Sequence, residues 1–358
     1  MGANYWLSVG IVFGVALILA LLLTPLARRL APQLGIVATP DRRRKHVGQI
    51  PKLGALPLFG AFTVAVILAQ ALPVERADPN EVIRLTGLLV GGAVIFIFGL
   101  FDDRYDLPPH IQIAGQLAAA LIGVAGLIII ERFNNPITGE TVGPFPFAVT
   151  LFISLLWLGL MMNTVNFLDG VDGLAAGVNL IAAVLLFVHT YREGQLSVSL
   201  LPMALIGVLT GFLVFNWHPA SIFLGSGAVY LGYITGSLAI IGGAKMATIL
   251  LVMGLPLLDL AWQAARRLRE GKNPMRGDRG HLHFRVLDAG LLSPRQLVIA
   301  YYAFCTAFGV LAMVTTSRQF KLIGLLVLVG LAVLGFVLVA RRSRLPASRD
   351  QLPNTPPR

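Results

Sequence analysis

Asp169 and Asp172 stand in NTVNFLDGVDGL, at the end of an apolar run long enough to cross a bilayer, and Asp102 and Asp103 stand in GLFDDRYDL at the end of another. An aspartate at the centre of a membrane helix costs roughly 2.5 to 3.5 kcal/mol. A chain with 17 Asp and Glu residues that gathers four aspartates at span ends is therefore using them. Hard oxygen donors at a membrane edge suit Mg2+, which is commonly held by one or two carboxylates together with substrate phosphate oxygens. The doublet by itself also fits a solvated helix cap, because Asp is favoured at helix termini. NFLDGVDGL is more specific: Asn166, Asp169 and Asp172 are spaced three apart and would line one face of a helical turn. Gly170 and Gly173 would let backbone and ligand approach closely there.

A second set of groups is basic. His281 and His283 in GDRGHLHFR share a loop with Arg276, Arg279 and Arg285, a combination suited to a phosphate or a nucleotide and equally to lipid head groups. Arg42, Arg43, Arg44, Lys45 and His46 fill five consecutive positions near the end of the first apolar run, as a topology signal or as the seat of an anionic lipid head group. A zinc site is not expected, because His46, His110, His189 and His218 show no ligand spacing. Cys305 is the one cysteine and lies in an apolar run, which excludes disulfides and cysteine metal sites and marks it as a core or lipid-facing residue.

The elements that must position these groups are membrane helices. The 358 residues are 56% hydrophobic and 13% charged with mean hydropathy +0.79, far from the roughly 25% charged of a soluble domain. The fold class expected is an all-α polytopic membrane protein. At about 20 apolar residues per span, eleven helices are predicted, near 6–27, 53–72, 85–101, 111–131, 147–163, 173–190, 198–215, 228–243, 246–262, 297–316 and 322–340. MGANYWLSVGIVFG lacks a basic leader and a small-residue cleavage site, so the first helix is expected to be retained, with Tyr5 and Trp6 at the interface. With the N-terminus outside (periplasmic) and the C-terminus cytoplasmic, inside segments carry 21 Lys and Arg against 7 outside, a clear positive-inside bias. The loops DRRRKH, FDDRYD, NFLDGVDG, NWHPASIFLGSG and GDRGHLHF then share the cytoplasmic face, although that convergence played no part in placing the helices. Two parts are expected: a transmembrane domain over 1–341 and a disordered basic tail over 342–358 that touches anionic lipid. The net charge of +11 is absorbed by topology, and no nucleic-acid motif, repeat, Walker A loop or dinucleotide fingerprint is present.

In their order the motifs resemble the polyprenyl-phosphate N-acetylhexosamine 1-phosphate transferases, glycosyltransferase family 4, and within them the undecaprenyl-phosphate GlcNAc-1-phosphate branch. The likeness runs from about Gly35 to Gln296 through PDRRRKHVGQIPKLG, GLFDDRYDLPPHIQIAGQ, NTVNFLDGVDGLAAGV, GFLVFNWHPASIFLG, LPLLDLAWQAARR with Asp259, and GDRGHLHFRVLDAGL. It implies transfer of a sugar 1-phosphate, most simply GlcNAc-1-phosphate, from a UDP-N-acetylhexosamine to undecaprenyl phosphate, with UMP released. Mg2+ is the implied cofactor, with Mn2+ as an alternative, and a homodimer in a bacterial inner membrane is the implied setting. By position, Asp102, Asp103, Asp169 and Asp172 carry catalysis, and Asp102, Asp103 and Asn166 would hold the metal. Substrate contacts fall to Arg44, Lys45, His46, Asn166, Arg279, His281 and His283. Two departures stand out. After FLG the family continues with an aspartate credited as a principal Mg2+ ligand, whereas FLGSGAVYLGY places Ser226 there or lacks a residue. HLHF has Phe284 where a related branch has a histidine. A non-catalytic relative that binds polyprenyl phosphate or partner enzymes, and a transporter with a carboxylate relay, are the competing readings.

Overall fold

The computed structural model describes residues 2–38, 48–135, 138, 140–243, 249, 252–269, 271, 280–315 and 318–342. Twelve α-helices are delimited among them: α1 Gly2–Gln33, α2 Ala55–Ala71, α3 Glu81–Tyr105, α4 Pro109–Ala125, α5 Phe147–Leu168, α6 Leu174–Arg192, α7 Leu196–Asn216, α8 Gly227–Ile241, α9 Gly254–Arg269, α10 Leu282–Asp288, α11 Pro294–Val314 and α12 Arg318–Arg342. Six of these are long and apolar enough to cross a membrane: Asn4–Gln33 within α1, then α3, α5, α6, α7 and α11. The apolar helices α2, α4 and α8 are shorter, as is the stretch Leu322–Gly335 of α12. The chain is thus a mostly helical, multi-pass membrane protein. Among the described residues the all-α expectation is modified by two small antiparallel ladders. Val37–Ala38 (β1) pairs with Ile50–Pro51 (β2), and Phe133–Asn134 (β3) with Thr141–Val142 (β4).

Several predicted spans change at their ends for local reasons. The span expected over 111–131 stops at Ala125, where Gly126 caps it and Leu127 takes φ +57°, after which Ile130 N–H donates to Ser154 Oγ at 2.9 Å. That expected over 246–262 is described as helix α9 over Gly254–Arg269. Asp259, Gln263 and Arg267, four apart, form one buried polar face on it, so α9 is amphipathic and runs past the point where apolar character ends. Tyr5 is buried, shares a hydrogen bond with Ser199 Oγ at 2.8 Å and stacks on Tyr191, since a phenolic hydroxyl in apolar surroundings needs a partner. Trp6 stays half exposed. Cys305 is fully buried, in line with the core reading of that residue. Arg342 closes α12, one residue into the expected tail, and 343–358 lie outside the described residues, as do Arg44, Lys45, His46 and Arg279.

The hub is α8. Only 15 residues long, it is buried on nearly every side and packs against α5, α3, α2 and α6, as a helix apolar all round should. Tyr233 within it donates from its hydroxyl to Gly87 O of α3 at 2.8 Å. Against α5 the approach is closer than side chains allow: a Cβ on Gly232 would stand 2.5 Å from Met162 Cα and 2.6 Å from Met161 O. At the far end of the bundle Arg76 and Ser197 both donate to Glu81, at 2.6 and 2.7 Å, tying the starts of α3 and α7. At the near end, the last residues of α3, α5 and α7 and the first of α2, α4, α6 and α8 come together, as the bonds described below show, and the last turns of α1 line a cleft beside them. Gly232→Val should therefore force α5 and α8 apart and cost about 1–3 kcal/mol, the usual penalty of overpacking, read as a lowered Tm of the purified protein in detergent.

Candidate active site

The acidic pair lies inside the last turn of α3 rather than beyond its end. The helix is stopped by Asp106, a C-cap in the left-handed region at φ 47° whose N–H bonds to Asp102 O. Consecutive residues on a helix point about 100° apart, and the two carboxylates meet different surroundings. Asp103 turns inward and its side chain is fully buried. Lys52 Nζ, from the turn between β2 and α2, reaches its Oδ1 at 3.0 Å. The Ser226 backbone N–H lies at 3.1 and 3.0 Å from Oδ1 and Oδ2, and Ser226 Oγ donates to Oδ2 at 2.6 Å. Gly225 makes this fit: φ is +59°, and a Cβ there would stand within 2.8 Å of both carboxylate oxygens and 2.6 Å from Lys52 O. Asp102 is half-buried and uses one oxygen: Oδ1 accepts from Leu107 N at 3.1 Å and from Gln112 Nε2 at 2.9 Å.

One turn further along α4, Gln116 Oε1 accepts from Asn163 of α5 at 2.8 Å. Because α5 runs the other way, Asn166 comes level with Gln112 and so with Asp102. Asn166 is half-buried and its amide makes no hydrogen bond to a described residue. The expectation that Asn166, Asp169 and Asp172 share one helical face needs correction. Asn166 is in the last turn of α5 and Asp169 is its C-cap, but the chain then turns through Gly170 to Gly173, at φ 77°, before α6, so Asp172 leaves the helix. Asp172 instead meets the loop between α7 and α8, where Oδ2 stands 2.7 Å from His218 Nδ1 and accepts from Ala220 N at 3.0 Å. Gly173 is clamped on both backbone groups: its N–H donates to Asn216 Oδ1 at 3.2 Å, and its carbonyl accepts from the Tyr302 hydroxyl of α11 at 2.5 Å. Arg295 Nε, also of α11, donates to His218 O at 3.2 Å.

The histidine loop packs onto this same turn. A Cβ on Gly170 would stand 2.6 Å from His283 Nε2 and 2.5 Å from Phe284 Cζ, so the absence of a side chain there lets the two motifs touch. Both imidazoles are buried rather than presented to solvent. Asp259 of α9 holds them: its Oδ2 stands 3.1 Å from His281 Nδ1 and 3.8 Å from His283 Nδ1, and its Oδ1 accepts from Leu282 N at 3.0 Å. A carboxylate at Nδ1 fixes that nitrogen as the protonated one, which leaves His281 Nε2 buried without a hydrogen-bond partner among the described residues. The His281 ring stacks on Phe167 at 5.1 Å between centroids. Beside the site a cleft of about 530 Å³ is lined by Arg28, Arg29, Gln49 and Ser221. Neither arginine has an ion pair or hydrogen bond among the described residues, so the face carries exposed positive charge.

As for a metal, no group of three or more His, Cys, Asp or Glu side chains among the described residues stands ready to hold one. Three donor groups, Lys52 Nζ and the backbone N–H and hydroxyl of Ser226, engage both oxygens of Asp103. Among the described residues, Asp102 Oδ2 and the Asn166 amide oxygen have no hydrogen-bond partner. Sequence reasoning gave no individual role to Lys52, Gln112 or His218, although each lies within a motif that carried the family resemblance; Ser226 was singled out as the departure after FLG and not as a donor.

A family model of glycosyl transferase family 4 matches residues 85–243, the stretch from α3 to the end of α8. Two bacterial proteins extend the likeness along most of the chain. One, from Mycobacterium tuberculosis and named decaprenyl-phosphate N-acetylglucosaminephosphotransferase, is 32% identical over 337 residues, 86% of this chain and 83% of the relative. The other, from Bacillus subtilis and named "Probable undecaprenyl-phosphate N-acetylglucosaminyl 1-phosphate transferase", is 30% identical over 316 residues, 86% of this chain and 85% of the relative. The chain belongs to glycosyl transferase family 4. An Escherichia coli K12 protein named undecaprenyl-phosphate alpha-N-acetylglucosaminyl 1-phosphate transferase is 27% identical over 80% of this chain and 79% of its own length. Within this family member Asp259 is the anchor of the histidine loop. Asp259→Ala would strand two buried donors and should lower stability by about 1–3 kcal/mol, measured as the denaturation midpoint in detergent.

Proposed function

We propose that the chain transfers N-acetylglucosamine 1-phosphate from UDP-GlcNAc to undecaprenyl phosphate, or a polyprenyl phosphate of similar kind, and releases UMP. The observation that carries this reading is the packing of NFLDGVDGL against the histidine loop at Gly170, on the end of the bundle where the acidic pair also lies, in a chain whose family relatives are named for that transfer. An oxygen of the lipid phosphate attacks the sugar-bearing phosphorus. The bond from that phosphorus to the bridging oxygen breaks, and UMP leaves with the electron pair. No covalent enzyme intermediate is required, because the lipid phosphate is itself the nucleophile.

The work of the protein is then positioning and charge neutralisation. Asp169, at the end of α5, keeps the lipid phosphate deprotonated. Asp172, tied to His218 and Ala220 N, fixes the turn that carries Asp169. Asn166 offers an amide to the nucleotide sugar, and His281 presents Nε2, an acceptor in the tautomer that Asp259 fixes, to a hydroxyl or N–H of that substrate. Arg28 and Arg29 make the same face attractive to phosphate esters. Mg2+, or Mn2+ in its place, would be held by Asp102 and Asn166 and would supply Lewis-acid neutralisation of the pyrophosphate.

The site is proposed to face the cytoplasm of a bacterial inner membrane, with the N-terminus periplasmic and about eleven spans. The 21 to 7 division of Lys and Arg supports this. A second reading, a catalytically impaired relative that binds the lipid without turnover, is favoured by one observation: Asp103 is closed off by Ser226, which stands where the family resemblance leads one to expect a carboxylate.

Purified protein should release UMP from UDP-GlcNAc only when undecaprenyl phosphate and Mg2+ are both supplied. Asp169→Asn should lower that rate by about 10²–10⁴-fold, the range for loss of a proton-handling group. A silent native chain that gains activity when an aspartate is inserted between Gly225 and Ser226 would establish the second reading instead.

A further inference from the structure

Both carboxylates of the acidic pair feel one ammonium group. Lys52 Nζ stands 3.0 Å from Asp103 with its own side chain 12% exposed, and its charge acts on Asp102 as well. Ser226 then closes the remaining oxygen of Asp103 with a backbone N–H and a hydroxyl. A divalent ion that sought both aspartates would have to displace a buried lysine and break three hydrogen bonds, whereas at Asp102 Oδ2 it would displace none of the described residues.

We infer that Lys52 is the resident cation of the acidic pair, and that with Ser226 it holds Asp103 out of the metal's reach, so that a divalent ion engages the pair through Asp102 alone. Lys52 and Ser226 are on this view positioning residues that set the metal affinity of the site. The inference rests on the proposed function only in taking the metal to be divalent, and it concerns binding rather than turnover. It follows that Asp102 and Asp103, though adjacent and chemically identical, are not equivalent.

The test is Mn2+ binding to the full-length protein in detergent without substrates, read from the electron paramagnetic resonance signal of free Mn2+, so that an inactive chain is still informative. Asp102→Asn should weaken binding at least tenfold, equivalent to about 1.4 kcal/mol, while Asp103→Asn should change it by less than about threefold. Lys52→Gln, which keeps a donor for Asp103 and removes the charge, should tighten binding about tenfold, and Lys52→Arg should leave it near the native value. Ser226→Ala, which removes the hydroxyl from Asp103 Oδ2 and keeps the backbone N–H, should tighten it more modestly. Equal losses from the two aspartate substitutions, weaker binding in Lys52→Gln with an unchanged Tm, or no Mn2+ bound by any of these proteins would each overturn the inference. Should Lys52→Gln fail to fold, the comparison of the two aspartates still decides it.

Discussion

A carboxylate buried inside a helical membrane bundle is tolerable only if charge and hydrogen bonds reach it from its surroundings. Asp103 meets that condition with donors drawn from two other parts of the chain, Lys52 ahead of α2 and Ser226 ahead of α8. Three helix ends distant in sequence are thereby held in register at one point. Removal of either partner leaves a buried charge only partly compensated, which is far more costly than the loss of an exposed ion pair. Asp102 inherits its orientation from the same turn of α3. Gln112 carries that register to α4, and the Gln116 to Asn163 bond carries it to α5, where Asn166 follows.

The other half of the site is held by backbone rather than by charge. Gly173 has its N–H and its carbonyl engaged by α7 and α11, and Asp172 and Arg295 grip the loop at His218 from two sides. The result is a turn held by two helices, α7 and α11, and by the loop at His218, so that Asp169 and Asp172 project from a fixed base. The histidine loop adds a wall: Asp259 orients His281, and the bare Cα of Gly170 lets His283 and Phe284 sit against the turn. Positioning of this sort suits phosphoryl transfer, in which the protein's share is geometry and electrostatics rather than covalent chemistry.

Much of this was legible in the sequence because hydropathy and motif order are local properties. The apolar runs located the helices to within a few residues, and the expectation that the acidic, asparagine and histidine motifs share one face is met by the ends of α3, α5 and α7 and the starts of α4, α6 and α8. What local reading missed depends on contacts across the bundle. Lys52 is one residue of a basic loop until Asp103 is seen beside it, and Asp259 is an isolated acid in an apolar segment until the histidine loop folds onto it. The face expected for Asn166, Asp169 and Asp172 assumed a continuous helix, whereas the glycines at 170 and 173 break it. The helix Gly254–Arg269 runs past the 262 expected for the ninth span because it buries Asp259, Gln263 and Arg267, residues that hydropathy alone assigns to water; 246–248, 250 and 251 lie outside the described residues.

The burial of Cys305 has a practical side. The chain has one thiol, and α11 holds it where no solvent reaches. Thiol-reactive reagents confined to water would find no native target on the folded protein. Single cysteines introduced into the loops at either end of the bundle would then report sidedness in intact cells or vesicles against a blank background, with the wild-type residue left in place.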